Sequence, residues 1–180
     1  MKIDKQELLQ ELKTMTKRHI ELVNTFLNYN NEQLQYRPKP GKWTLLENIE
    51  HLNRYAEFYI PVIEKAVNHS KPVSNKVFKS GWLGNKFAVS MLPGESMTTM
   101  DTFKSKNPIE DKLDSEVLKI FMSYLNRLQD ALSACEKISL NKYTKITIPL
   151  LQIKLGDTLR VVIYHHERHM VQIAKLNIKT

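Results

Sequence analysis

The run Tyr164-His165-His166-Glu167-Arg168-His169 sets three imidazoles close together near the end of the chain. On a helix, residues four apart lie about 40° from one another around the axis. His165 and His169 therefore project together, one turn apart, and two imidazoles so placed can chelate one metal ion. Val162, Gln172 and Leu176 share their stripe, while Arg160, Glu167, Arg168 and Lys175 gather on the other side. The pair is expected to point inward. His166 is rotated by about 100° from His165 and lines up with Leu159, Ile163, Met170 and Ile173 as a packing residue. A His-x-x-x-His pair serves a structural role as readily as a chemical one, so a third histidine matters. His51 falls in line with Asn48, Tyr55 and Phe58, with Asn53, Glu57 and Glu64 on the opposite face. One inward histidine is ordinarily a hydrogen-bonded core residue. Three need a common explanation, because each must find polar partners away from water. One divalent ion held by three neutral imidazoles supplies it and leaves positions open to water or substrate. Glu47, one turn before His51, has two readings: it closes a capping box with Thr44, or it serves the histidines as a supporting carboxylate or a base.

The elements that must position these residues are helical. Leu8, Leu12, Met15, His19, Leu22, Val23, Phe26 and Leu27 recur at helical spacing over 5–30, after Asp4-x-x-Glu7 as a capping signal. Tyr36–Lys42 carries two prolines and a glycine, which stop that helix. Thr44-Leu-Leu-Glu47 opens a second helix to about residue 68, with Pro61 expected to kink or interrupt it. Residues 70–110 show no period, contain Trp82 and Phe87, and are too long for a plain loop; short helical pieces or a lid over the site are expected. The helical period returns over 111–137. Residues 138–155 read as a connection with a short strand or extended arm, and Asp157 as the N-cap of a last helix over 158–176. Four long amphipathic helices without a sheet read as an all-α, four-helix bundle with long connections, one domain over 1–180.

The chain has 180 residues, 42% hydrophobic and 26% charged, which excludes a wholly disordered protein. One cysteine, Cys135, excludes an internal disulfide framework and a multi-cysteine zinc module. A charged beginning and no long apolar run predict no signal peptide and no membrane span, hence a cytoplasmic protein. The net charge is +8, and most of the excess lies in 70–110 and 136–160. Lysines on connections are ordinary surface, and no nucleic-acid-binding pattern accompanies them, so no nucleic-acid partner is expected.

Two patches resemble the DinB family of four-helix-bundle proteins, within the DinB/YfiT-like metalloenzymes. They are Pro40-Gly41-Lys42-Trp43-Thr44, followed by Glu47 and His51-Leu52, and His165-x-x-x-His169-x-x-Gln172-Ile173. The resemblance implies that His51, His165 and His169 bind one divalent metal, nickel or zinc. It also implies bundles that pair as homodimers. Many relatives carry adjacent histidines at the second ligand position, whereas here the doublet is His165-His166, which leaves His166 as the substitute ligand. The long 70–110 segment is a second departure.

A three-histidine ion with open positions lowers the pKa of bound water or a bound thiol. The expected activity is metal-dependent hydrolysis, or transfer of a low-molecular-weight thiol to a small-molecule electrophile, the latter suggested by thiol-dependent relatives. Tyr55, Tyr36, Arg37 and Trp82 are candidates to line the mouth of the site. The alternative is a metal-stabilised bundle that binds a ligand or partner without turnover.

Overall fold

The computed structural model describes residues 1–94 and 102–178. Asp4 accepts hydrogen bonds from the Gln6 and Glu7 amides and starts α1 (Lys5–Phe26). That helix is shorter than its periodic run suggests. Asn30 starts a separate turn, α2 (Asn31–Leu34), with its own capping box to Gln33. Both halves of the Thr44–Glu47 capping box form at the head of α3 (Leu45–Asn68). Pro61 does not interrupt α3. Pro61 and Glu57, whose carbonyl the proline leaves without its amide, both lie on the exposed side, where water can take that carbonyl. After α3 come α4 (Trp82–Met91), α5 (Glu116–Cys135) and α6 (Leu155–Ala174).

Among the described residues the chain is mostly helical, but it is not purely so. β1 (Lys2–Asp4) pairs antiparallel with β2 (Val77–Lys79), Ile3 opposite Phe78. β3 (Tyr143–Lys145) pairs antiparallel with β4 (Gln152–Lys154), Thr144 opposite Ile153. The second pair fulfils the extended arm expected in 138–155. The first is not foreseeable from the sequence, since three-residue strands carry too little alternation to be read. The first buries Phe78 and the second buries Ile153 with its partner Thr144, Phe78 and Ile153 joining the apolar core.

α3 packs on α5 and α6, and α1 packs on the same two, so the four long helices form a closed ring of neighbours. Two apolar clusters fill it. One gathers Leu8, Leu12, Ile60, Ile63, Leu159 and Ile163 among others. The other gathers Val23, Leu45, Ile49, Phe121, Met170 and Ile173 among others. Between them, at one level of the ring, lie the buried polar side chains Thr16 and His19 of α1, His51 of α3, and His166, Glu167 and His169 of α6.

α6 departs most from expectation. Arg160, Glu167 and Arg168, placed on a solvent face by the helical wheel, are all buried. Arg160 meets Asn85 of α4, part of the 70–110 segment, which packs on α6 beside α1 and α3, and Glu167 faces Arg18 and His19 of α1. Asp157 is not the N-cap: the helix begins at Leu155 after Lys154, and Asp157 lies fully buried in its first turn. Its carboxylate accepts from Ser80 Oγ at 2.5 Å, the Gly81 amide at 2.9 Å and Arg160 at 3.2 Å.

Two glycines make this junction. A Cβ on Gly84 would stand 2.4 Å from Asp157 Oδ2, and one on Gly156 would stand 2.7 to 2.8 Å from three atoms of the buried Phe78 ring. Gly84→Ala and Gly156→Ala are therefore each expected to destabilise the protein by about 1–3 kcal/mol, the usual cost of overpacking. The urea midpoint at pH 7.5 measures it, and an unchanged midpoint would contradict this account of the junction.

Candidate metal centre

α3 and α6 lie side by side, which brings His51 opposite the turn that carries His165 and His169. His165 Nε2 stands 3.2 Å from His51 Nε2 and 3.1 Å from His169 Nε2. One ligand nitrogen from each ring lies within 4.8 Å of the others. Two nitrogens bound to one ion at about 2.1 Å are separated by roughly 3.0 Å at a right angle and roughly 3.4 Å at a tetrahedral one. Both spacings to His165 fall in that interval.

The other ring nitrogens fix which face each ring offers. His51 Nδ1 lies 2.7 Å from the Lys106 carbonyl, which can only accept, so Nδ1 carries the proton and Nε2 presents its lone pair. His169 Nδ1 lies 2.9 Å from Asn48 Oδ1. The Asn48 amide is itself oriented, because its Nδ2 donates to the Thr44 carbonyl at 2.8 Å. His169 Nδ1 is thus also a donor and its Nε2 also free. Three converging nitrogens, two of them bare lone pairs, have at most one proton to share. A divalent cation satisfies all three. The donor set fits a metal ion.

Aromatic rings wall the cluster. Trp43 stacks on His169 with centroids 5.9 Å apart and leans on His51 at 4.8 Å. Tyr55 meets His51 at 4.9 Å and His165 at 5.1 Å. The Lys106 ammonium lies 5.7 Å over the Tyr55 ring.

The chain matches the family model of the DinB superfamily over residues 11–173. It belongs to the DinB superfamily. No curated protein and no solved structure matches it significantly. Both patches that carried the resemblance lie inside the matched span, as do all three histidines.

In this DinB-superfamily chain the expected ligand trio is brought together, and His166 is not part of it. The His166 ring points instead at Phe121 and His19, with centroids at 5.1 and 6.0 Å. Of the residues expected at the mouth, only Tyr55 touches the cluster. Trp82 is 79% exposed on α4, where it carries the Lys86 ammonium. Tyr36 is exposed, and Arg37 is bound to Glu47 at 2.7 Å. Glu47 closes the capping box, and all its partners there are donors: Arg37, the Thr44 amide and the Glu110 amide, each at 2.7 Å. Burial would raise this carboxyl, but those bonds outweigh it and hold it below its ordinary value. It is not available as a base.

Trp43 and Asn48 are visible in the sequence on the right face or beside the right motif, but nothing there assigns them a role. Lys106 is not visible, because it acts through its main-chain carbonyl and any residue type offers one. A second buried polar group stands behind the centre: His19 Nε2 donates to Glu167 at 2.9 Å, and Arg18 also bonds that carboxylate. The His19 bond, joined by that from Arg18, holds Glu167 down to about 2.

Burial depresses the histidines. His51 falls to about 4 and His165 to about 3, while His19, His166 and His169 are also lowered, in every case chiefly by loss of water. The unfolded chain therefore binds protons first as acid is added. Metal-free protein should show flat stability above about pH 6.5 and lose stability as pH falls from there toward 4. The limiting slope is about 1.4 kcal/mol per pH unit for each histidine involved. Urea midpoints from pH 8 to pH 4.5 measure this, and stability rising toward pH 5 would contradict the neutral, buried state of these rings.

Proposed function

We propose that this is a metalloprotein in which His51, His165 and His169 hold one divalent ion, with nickel or zinc as the first candidates. We read the ring of α1, α3, α5 and α6 as the DinB/YfiT type of four-helix bundle. The observation that carries the proposal is the convergence of three Nε2 atoms, two with their ring protons engaged elsewhere by Lys106 and Asn48. Bound at three histidines, such an ion retains open positions and makes a water or thiol nucleophilic near neutral pH.

The residues of the chain then have separable tasks. The Lys106 carbonyl and Asn48 keep the ligand rings in one tautomer and one orientation. Trp43 and Tyr55 hold the rings between aromatic faces and exclude water from their sides. Tyr55 is half-buried with its phenol raised by burial, so it stays protonated and can donate a hydrogen bond to a substrate. We propose a small-molecule substrate and either metal-dependent hydrolysis or S-transfer from a low-molecular-weight thiol. The saturation of Glu47 by three donors favours the thiol version, because a thiol of lowered pKa needs no carboxylate base. The same saturation supports the second reading, a metal-stabilised bundle that binds without turnover.

Protein purified without chelator is expected to contain close to one nickel, zinc or related ion per chain by elemental analysis. His169→Ala should lose it, and His69→Ala, altered at the exposed end of α3, should keep it. Retention by His169→Ala would sink the ligand assignment. With metal fully loaded, consumption of a thiol with an electrophile, or of an ester, separates the enzyme from the binding bundle.

A further inference from the structure

One face of α3 grips the segment from Lys106 to Asp111 at three successive turns. Glu47 takes the Glu110 amide at 2.7 Å. His51 gives its Nδ1 proton to the Lys106 carbonyl at 2.7 Å. Arg54 donates to the Asn107 carbonyl at 3.0 Å and pairs with Asp111, while Glu50 steadies its guanidinium at 2.9 Å. The Lys106 ammonium in turn bonds the Arg54 carbonyl. Glu110 sits at φ 66, the left-handed region that a glutamate seldom adopts. A residue held there needs its surroundings to hold it, and its amide points straight into the buried carboxylate of Glu47.

The clamps therefore flank His51 along α3, and they hold the segment at Asn107, Glu110 and Asp111, directly after the one carbonyl that the candidate centre uses. Its own hydrogen bonds are few: the 3₁₀ turn Lys104–Lys106, an Asn107 side chain bonded to the Ile109 amide, and the Asp111 amide bonded to the Pro108 carbonyl at 3.0 Å. Without the two clamps, only the Lys106 side chain, on the Arg54 main-chain carbonyl, still ties the segment to α3 beside His51, and a flexible lysine side chain fixes its own carbonyl poorly.

We propose that Glu47 and Arg54 are positioning residues of the metal centre: by clamping Lys106–Asp111 they seat the Lys106 carbonyl on His51 Nδ1 and so keep His51 Nε2 free to bind a metal. The inference rests on the metal reading above for its purpose, but the tautomer it predicts exists without metal. It also gives Glu47 a task beyond the helix cap. Because all three of its partners are donors, a glutamine amide there turns an N–H toward a donor whichever way it is flipped.

The test uses the full chain and two variants, Glu47→Gln and Arg54→Ala, with Glu64→Gln as control. The control breaks the Glu64–Arg127 ion pair between α3 and α5, away from the centre. In metal-free wild type at pH 8, the imidazole ¹⁵N spectrum should show His51 with a protonated Nδ1 and a bare Nε2. Both variants should shift His51 toward a mixture of tautomers and weaken Zn²⁺, measured against a chromophoric chelator, by about 10- to 100-fold. The control should do neither. Variants that keep the wild-type His51 spectrum and bind Zn²⁺ within twofold of wild type would overturn the proposal. If Glu47→Gln does not fold, Arg54→Ala, at a half-buried position, decides alone. If wild type binds no Zn²⁺ or Ni²⁺, the metal reading fails, and the spectra still decide whether the clamps set the tautomer.

Discussion

A layer of imidazoles buried between two apolar cores is the constraint that the rest of this structure answers. An uncharged imidazole away from water still has one donor and one lone pair to satisfy, and an orphaned polar atom costs about 1–3 kcal/mol. The layer holds five such rings, His19, His51, His165, His166 and His169, on three helices. Each helix crossing that level is arranged for the purpose. α3 brings Asn48, the Lys106 segment reaches across its face, and α1 supplies His19 to a carboxylate from α6. Apolar packing above and below keeps water out, which in turn keeps the rings neutral.

The layer also divides into two halves of different chemistry. Toward α3, the rings turn lone pairs inward at one another, the geometry of a ligand set. Toward α1, His19 and His166 meet edge to face, and their Nδ1 atoms have no hydrogen-bond partner. Glu167 closes that side with a carboxylate held well below its ordinary value. The negative charge is thereby kept with His19 and Arg18, on the α1 side of α6 and turned away from the converging lone pairs. The two sides share α6 but not a common pool of partners.

How far this was legible in the sequence depends on what each residue uses to act. His51, His165 and His169 act through side chains on helices, and the 100° rotation per residue was enough to pair His165 with His169 and to turn His51 inward, while the family resemblance joined the three. The capping box at Thr44 and Glu47 was readable for the same reason. What failed were inferences about what covers a helix. Arg160, Glu167 and Arg168 looked solvated because a wheel shows which residues share a face, but not whether another element covers it. α4 covers Arg160 from a segment whose weak periodicity hid it, and α1 covers Glu167. Lys106 was out of reach on principle, since a carbonyl has no residue type. Asp157 was misplaced by three residues because an aspartate before a helix and one in its first turn look alike.

The burial of α6 has a consequence for mutational tolerance. A helix with one face on a core normally tolerates change in a 3.6-residue rhythm, permissive outside and strict inside. From Leu155 to Ile173 no residue of α6 is exposed, and Ala174 is the first that is. The polar positions are as tightly engaged as the apolar ones: Asp157 and Arg160 at the α4 junction, Tyr164 with Glu11, Glu167 with His19, and His169 with Asn48. A saturation scan of this helix would therefore show almost no rhythm at all, while α5, with exposed positions at every turn, would show it plainly. Chains that diverge from this one have least room to drift along the helix that carries two of the three converging histidines.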